Sequence, residues 1–290
     1  MVTRYSQLLY KSIVISAFVL FGVLGLCIES QAQVITPRFL NCWPPSNEFD
    51  NCETINEDST VVSHLGCDVK IVYFVRKCTT GSVIYTHIEM QRFEIEETTP
   101  PCGLINYIYN SSPAPFGYFN EANFREVVTD LYFKLSDALT LPLLNSIPPF
   151  LVGAYGYNCD ANGNPVNGQY TFQAFEGTCM AYCAIKYRKQ VSDGYKTFWS
   201  YKWNKCANTC CVLKVAYCLD NSTNPPRWRR SYITVPTGTS PNGDDCTLYN
   251  STESCQSPYI GDPRYQVLGI WSGTCKETCD EDGYGSEIVD

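Results

Sequence analysis

Apolar and polar residues alternate with a period of two along much of this chain, and the alternating stretches come in pairs. Residues 68–75 (Asp-Val-Lys-Ile-Val-Tyr-Phe-Val) follow Cys67. A polar turn, Cys78-Thr-Thr-Gly81, then leads to residues 82–95, which return toward Cys102. Residues 183–189 lead through Ser192-Asp-Gly194 to 195–203 and Cys206. Residues 211–217 lead through 218–226 to 227–235 and on toward Cys246. Alternation rich in Val, Ile, Tyr and Trp, bounded by Gly, Asn, Asp and Pro, is the pattern of β-hairpins. Three such units predict a mostly β fold of antiparallel hairpins.

One segment has a different period. Phe124, Val127, Val128, Leu131, Leu135, Ala138 and Leu139 recur at steps of three and four, which predicts an amphipathic helix over residues 121–139. Asn120 suits the N-cap and Glu121 the first turn, and Pro142 is expected to stop the helix. Residues 141–151, with Pro142, Pro148 and Pro149, then read as a buried extended connector. A boundary near 152–158 would divide a hairpin-plus-helix region, 33–152, from a cysteine-rich hairpin region, 153–290, with one elongated unit as the alternative.

The first 32 residues read as a secretory signal peptide. Arg4 and Lys11 precede or open an apolar run, residues 12–28, and Ser30-Gln31-Ala32 sets small residues at the −3 and −1 positions of a cleavage site, with cleavage expected after Ala32. The run, about 17 residues, is close to the roughly 20 of a membrane span, so an uncleaved anchor stands as a minor alternative. A lipid-attachment role for Cys27 would want a small residue where Leu26 stands. No later segment is apolar enough to span a membrane, so a secreted or cell-surface protein is expected.

Export changes the cysteine count. Of 17 cysteines, Cys27 leaves with the signal, and 16 remain: Cys42, Cys52, Cys67, Cys78, Cys102, Cys159, Cys179, Cys183, Cys206, Cys210, Cys211, Cys218, Cys246, Cys255, Cys275 and Cys279. An even number in an oxidising compartment predicts a disulfide framework, supplementing the core that a chain of this length can bury. Strand geometry limits the pairing. Cys67 and Cys78 at the ends of one extended strand lie up to roughly 36 Å apart, against the roughly 7 Å a disulfide tolerates. The same holds for Cys211 and Cys218. Adjacent Cys210 and Cys211 face apart and need different partners. Three Cys-x3-Cys pairs, beginning at Cys179, Cys206 and Cys275, mark corners of a degenerate internal repeat; their spacing is not the Cys-x2-Cys of structural zinc.

Composition excludes several chemistries. With 21 basic against 29 acidic residues, the net charge of −8 argues against nucleic-acid binding. Only His64 and His87 are available for acid–base or metal work, and no hydrolase, metalloprotease or phosphate-loop motif is present. No catalytic residue, cofactor or metal is therefore expected. A carboxylate pair among Glu94, Glu96, Glu97, Asp244 and Asp245 would leave no signature, so a glycosidase-type hydrolase stands as the minor alternative. Asp160-Ala-Asn162-Gly-Asn164 and residues 280–283 resemble incomplete calcium loops; the first reads as a tight turn and the second as a frayed acidic tail. Asn110, Asn221 and Asn250 head Asn-x-Ser/Thr triplets.

Aromatic residues supply the remaining lead. Trp199, Tyr201 and Trp203 share one face of a strand, with Ile185 and Tyr187 expected across the hairpin. Exposed, that face would stack sugars; turned inward, it is core. Arg227-Trp228-Arg229-Arg230 is a dense basic cluster, suited to an acidic glycan or protein partner or else to an edge strand that resists pairing. The expected function is a non-catalytic, disulfide-rich structural or adhesive extracellular protein. The alternative is a carbohydrate- or partner-binding module using Trp199, Tyr201 and Trp203, or Trp228, Arg229 and Arg230.

Overall fold

The computed structural model describes residues 37–109, 119–166, 169–207, 210–237, 246, 255–256, 259, 261–277 and 284–289. The expected signal peptide, Cys27, Asn110, Asp244, Asp245, Asn250, Cys279 and residues 280–283 lie outside them. Along the chain come β1 (Asn51–Cys52), β2 (Asn56–His64), β3 (Cys67–Thr80), β4 (Val83–Glu96), α1 (Gly103–Ile108), α2 (Glu121–Asn145) and α3 (Pro149–Val152). Next are β5 (Phe172–Gly177), β6 (Cys179–Val191), β7 (Gly194–Lys205), β8 (Cys210–Asp220) and β9 (Arg227–Thr237). Last are β10 (Tyr265–Ser272), β11 (Lys276–Glu277) and β12 (Tyr284–Ile288).

The fold is mostly β and mostly antiparallel, and the three expected hairpins are β3–β4, β6–β7 and β8–β9. They join through β4. Its Phe93–Glu96 end pairs antiparallel with β7, while Thr86–Ile88 pairs parallel with β5, so two wings leave one strand edge. The resulting path is β10-β6-β7-β4-β5-β8-β9-β12, with β3, β2 and β1 continuing from the other edge of β4. Strands from either side of 152–158 thus share one sheet, and residues 37–290 form one compact unit.

Helix α2 covers one face. Its Phe124, Val127, Leu131 and Leu135 are buried with Ile71, Tyr73, Phe93, Trp199, Tyr201 and Val215. The opposite face carries smaller clusters, one of Trp43, Phe74, Phe175 and Val212, another of Cys183, Ile185 and Tyr187. The β6–β7 hairpin is therefore buried on both faces.

Asn120 caps α2 as expected, its Oδ1 accepting from the N–H groups of Ala122 and Asn123 at 3.1 and 3.2 Å. The helix end differs from expectation. α2 runs through Pro142 to Asn145. Proline has helical φ and forfeits one intrahelical bond, and here it stands in the last turn, where buried Leu144 still anchors the helix to the core. The connector is likewise not extended. Ser146 Oγ donates to the Leu143 carbonyl at 2.6 Å, and Pro149 opens the short α3, a position its fixed φ favours. Nor is it uniformly buried: Leu144 is, whereas Phe150 is 81% exposed.

Seven disulfides join described cysteines: Cys42–Cys210, Cys52–Cys78, Cys67–Cys102, Cys159–Cys218, Cys179–Cys246, Cys183–Cys255 and Cys206–Cys275. Cys67–Cys102 ties the start of β3 to the N-cap of α1 across the open end of the β3–β4 hairpin, and the two members of each Cys-x3-Cys pair that is described go to different partners. Cys211 is also disulfide-bonded. The bridges and the lack, among the described residues, of a helix long and apolar enough to cross a membrane are consistent with an extracellular protein. The chain before β1 is clamped without a strand. Buried Glu89 accepts from the main-chain N–H groups of Arg38 and Phe39, both at 2.8 Å, and the Arg38 guanidinium donates to the Met90 and Trp203 carbonyls.

Candidate functional site

The end of α2, α3 and the β8–β9 hairpin enclose a groove of about 680 Å³. Leu144, Ile147, Val152, Leu219, Pro226 and Val289 give it apolar walls, Trp228 a broad aromatic surface, and Arg227 a cation. The volume lies within the roughly 300–1,000 Å³ of small-ligand sites, which combine apolar lining with few polar groups. Its geometry follows from local chemistry. Trp228 Nε1 donates to Asn145 Oδ1 at 2.9 Å, and the Trp228 carbonyl accepts from the Val289 N–H at 2.9 Å. Tyr157 meets the indole edge-on at 6.3 Å. The ring is thereby fixed between α2 and β9, while Arg227 is exposed at the lip.

The rest of the basic cluster is dispersed. Arg230 is 7% exposed, ion-paired with Asp137 at 2.6 Å and with Glu287, and stands over the Phe133 ring. Arg229 bonds Asp220 at 2.6 Å. The four residues therefore form no continuous basic patch, because a strand sends successive side chains to opposite faces. Nor is β9 an edge strand, since β12 pairs with it.

Trp199 and Tyr201 are 0% exposed and Trp203 is 8% exposed, so no aromatic platform faces solvent there. Their neighbours also differ from expectation. The turn sets Trp199 opposite Lys186, Tyr201 opposite Ala184 and Trp203 opposite Tyr182, while Ile185 and Tyr187 face Ser200 and Phe198. The pairing is offset by one residue, which exchanges the faces.

The sequence-flagged acids are engaged. Glu94 accepts from Arg92 Nε at 3.0 Å and from the Tyr259 hydroxyl at 2.7 Å, Glu96 pairs with Lys196 and Glu97 with Lys186, both at 2.8 Å. None lines the groove. Asp160 closes a tight turn, its Oδ1 accepting from the N–H groups of Asn162 and Asn164 at 2.8 Å. A Cβ on Gly163, at φ +81°, would lie 3.1 Å from Arg229 side-chain atoms, so a cation already lies against this loop. No metal-ligand cluster occurs among the described residues.

The histidines are packed rather than poised. His87 is fully buried beside Trp43, Phe49 and Phe175, and burial together with Arg76 pushes its pKa down to about 3. Burial also lowers the pKa of His64, 3.7 Å from Asp130. All described cysteines are disulfide-bonded, so no described thiolate stands beside either ring. Asn221 is exposed in the β8–β9 turn.

One titratable group has no sequence signal. Glu176 on β5 is only partly covered, yet desolvation of its carboxyl, against the pull of Arg125, pushes its pKa up to about 8. A raised folded-state pKa gives stability that is full below the ordinary value of 4.5 and is lost as pH rises through about 8. Glu176→Gln, neutral throughout, is expected to gain stability over the native chain as pH rises, by on the order of a few kcal/mol at alkaline pH. Urea midpoints at about pH 5 and about pH 9 check this; an unchanged difference between them would show that the carboxyl ionises freely.

No family model matches the chain, and no curated protein and no solved structure matches it.

Proposed function

We propose that this chain is a non-catalytic extracellular binding protein, whose disulfide-braced sheet presents one groove for a ligand with an apolar body and an anionic end. The observation that carries this reading is the groove itself: six apolar residues and a fixed indole beside Arg227, the one charged side chain among the described lining residues. An aliphatic or aromatic body gains by leaving water, at roughly 25 cal/mol per Å² of apolar surface buried. A carboxylate at its end meets the guanidinium, which pairs with planar anions through two parallel bonds. The structural or adhesive role expected from the sequence draws on the same bracing, and the groove adds a ligand to it.

Calorimetric titration of the oxidised protein with a medium-chain carboxylate and with its neutral primary amide tests the reading. The carboxylate is expected to bind more tightly. Arg227→Ala is expected to weaken it about ten-fold or more and to leave the amide unchanged, a charge-assisted bond being worth about 1.5–3 kcal/mol. Trp228→Leu should weaken both. Absence of binding by either compound, or equal loss of both in Arg227→Ala, would remove the proposal.

A further inference from the structure

Leu144 and Ile147 form a wall shared by the groove and by a second, smaller space. This crevice, about 190 Å³, lies between the β3–β4 turn, the end of α2 and the segment around Tyr155 to Thr171. Its lining differs in kind from the groove's. Thr86, Thr140, Thr171, Tyr155 and Tyr157 contribute hydroxyl-bearing side chains, Ser82 and Ser146 are exposed, and none of the described residues lining it is charged.

A second observation concerns the same wall. Thr140 is 7% and Thr171 3% exposed, and neither Oγ1 has a hydrogen-bond partner among the described residues. A hydroxyl left so is destabilising, because it gives up its hydrogen bonds to water without replacement. Helical Thr140 has a ready alternative in a bond to the preceding turn, which threonine side chains commonly make, and does not form it. Both oxygens are shut from solvent as they stand. Rotation about χ1 between staggered wells is the movement by which either hydroxyl would reach the crevice.

We propose that this crevice binds a neutral sugar unit. Hydroxyls donate and accept, as a sugar's own hydroxyls require, and the Tyr155 and Tyr157 rings with the Leu144 and Ile147 wall suit the apolar C–H surface of a pyranose. The absence of charge in the lining disfavours ionic ligands, which would be desolvated without a partner. At about 190 Å³ the crevice is smaller than the roughly 300–1,000 Å³ of drug-sized sites, which restricts its occupant to a single ring. The crevice shares the Leu144 and Ile147 wall with the groove but does not include Arg227 in its lining.

Saturation-transfer NMR on the oxidised protein, with a panel of neutral methyl glycosides and an acidic uronide, tests this. One or more neutral glycosides is expected to bind, and the uronide is not. Thr140→Val and Thr171→Val, which keep shape and remove the hydroxyl, should each weaken binding about five-fold, the net value of one hydrogen bond. Thermal unfolding of both variants should be unchanged or raised, since an unpartnered hydroxyl is lost, so a folding defect is separable from a binding defect. Arg227→Ala should bind the glycoside normally. No glycoside signal into the tens of millimolar, an equal signal from the uronide, or unaltered affinity in both valine variants would overturn the proposal and leave ordered water as the occupant.

Discussion

Trp199→Ala is expected to lower the stability of the protein by about 3–5 kcal/mol, the range for removing a large aromatic side chain from a core. The ring is 0% exposed. It lies 5.2 Å from Tyr109, 5.3 Å from Trp271 and 6.0 Å from Tyr201, with the Lys186 ammonium 5.0 Å from its centroid. Strands β6, β7 and β10 and the end of α1 hold these neighbours, so the space cannot close by a small local shift. One feature moderates the cost. Trp199 Nε1 is buried without a hydrogen-bond partner among the described residues, and losing it relieves a desolvated donor. Trp199→Phe separates the two contributions: it retains most of the ring and removes the N–H, and should cost well under half as much. Urea unfolding of the oxidised proteins measures both changes. A midpoint unchanged in Trp199→Ala would mean that this face is exposed after all, and would restore the sugar-stacking platform.

Hairpins were legible because their signal is local. Alternation and turn residues sit within a few positions of each other, and Gly81 and Gly194 take the positive φ their turns need. β2 gave no such signal, since most of its residues are exposed and polar, and it is held by β3 and by contacts such as Thr60 Oγ1 to the Tyr73 hydroxyl at 3.0 Å. The pairing limits on Cys67, Cys78, Cys210 and Cys211 followed from strand length and parity, which do not depend on tertiary structure. The actual partners do. Cys42 meets Cys210 across 168 residues because the Arg38–Glu89 clamp carries the chain there, and no spacing encodes that.

The candidate site was legible only in part. Arg227 and Trp228 stand out in sequence, but Leu144, Val152 and Val289 become their neighbours through a helix that continues past Pro142 and through the β12–β9 pairing. A proline read as a stop hides the first. The same limit explains the basic cluster: four adjacent letters suggest one patch, and strand alternation sends Arg230 inward to partners 93 and 57 residues away.

That inward arginine carries the other large effect. Asp137→Ala is expected to destabilise by about 3 kcal/mol or more, because it strips a buried cation of a charged partner. The Asp137 and Arg230 side chains are 21% and 9% exposed, so solvent replaces little of what is lost. The Tyr217 hydroxyl, which donates to Asp137 Oδ1 at 2.7 Å, keeps only Ser136, 2.6 Å away, among the described residues. Removing both charges should be cheaper than removing one. Asp137→Leu combined with Arg230→Met is expected to be more stable than either single variant, and a double-mutant cycle by urea unfolding measures the coupling. Independent, additive losses would show that the pair is solvated. The pH dependence separates this pair from Asp220. Burial raises the Asp137 pKa against the pull of Arg230, so its contribution is fullest below the ordinary carboxylate range and falls as pH rises through the folded value. Asp220 is opposite in sign. Hydrogen bonds from Ser222 and Arg229 hold it down at about 2, giving stability present above its ordinary value and lost as pH falls toward 2. Acid unfolding should therefore be blunted in Asp220→Asn and not in Asp137→Asn, and a reversal of that order would place the acid-sensitive contact on α2 instead of the β8–β9 turn.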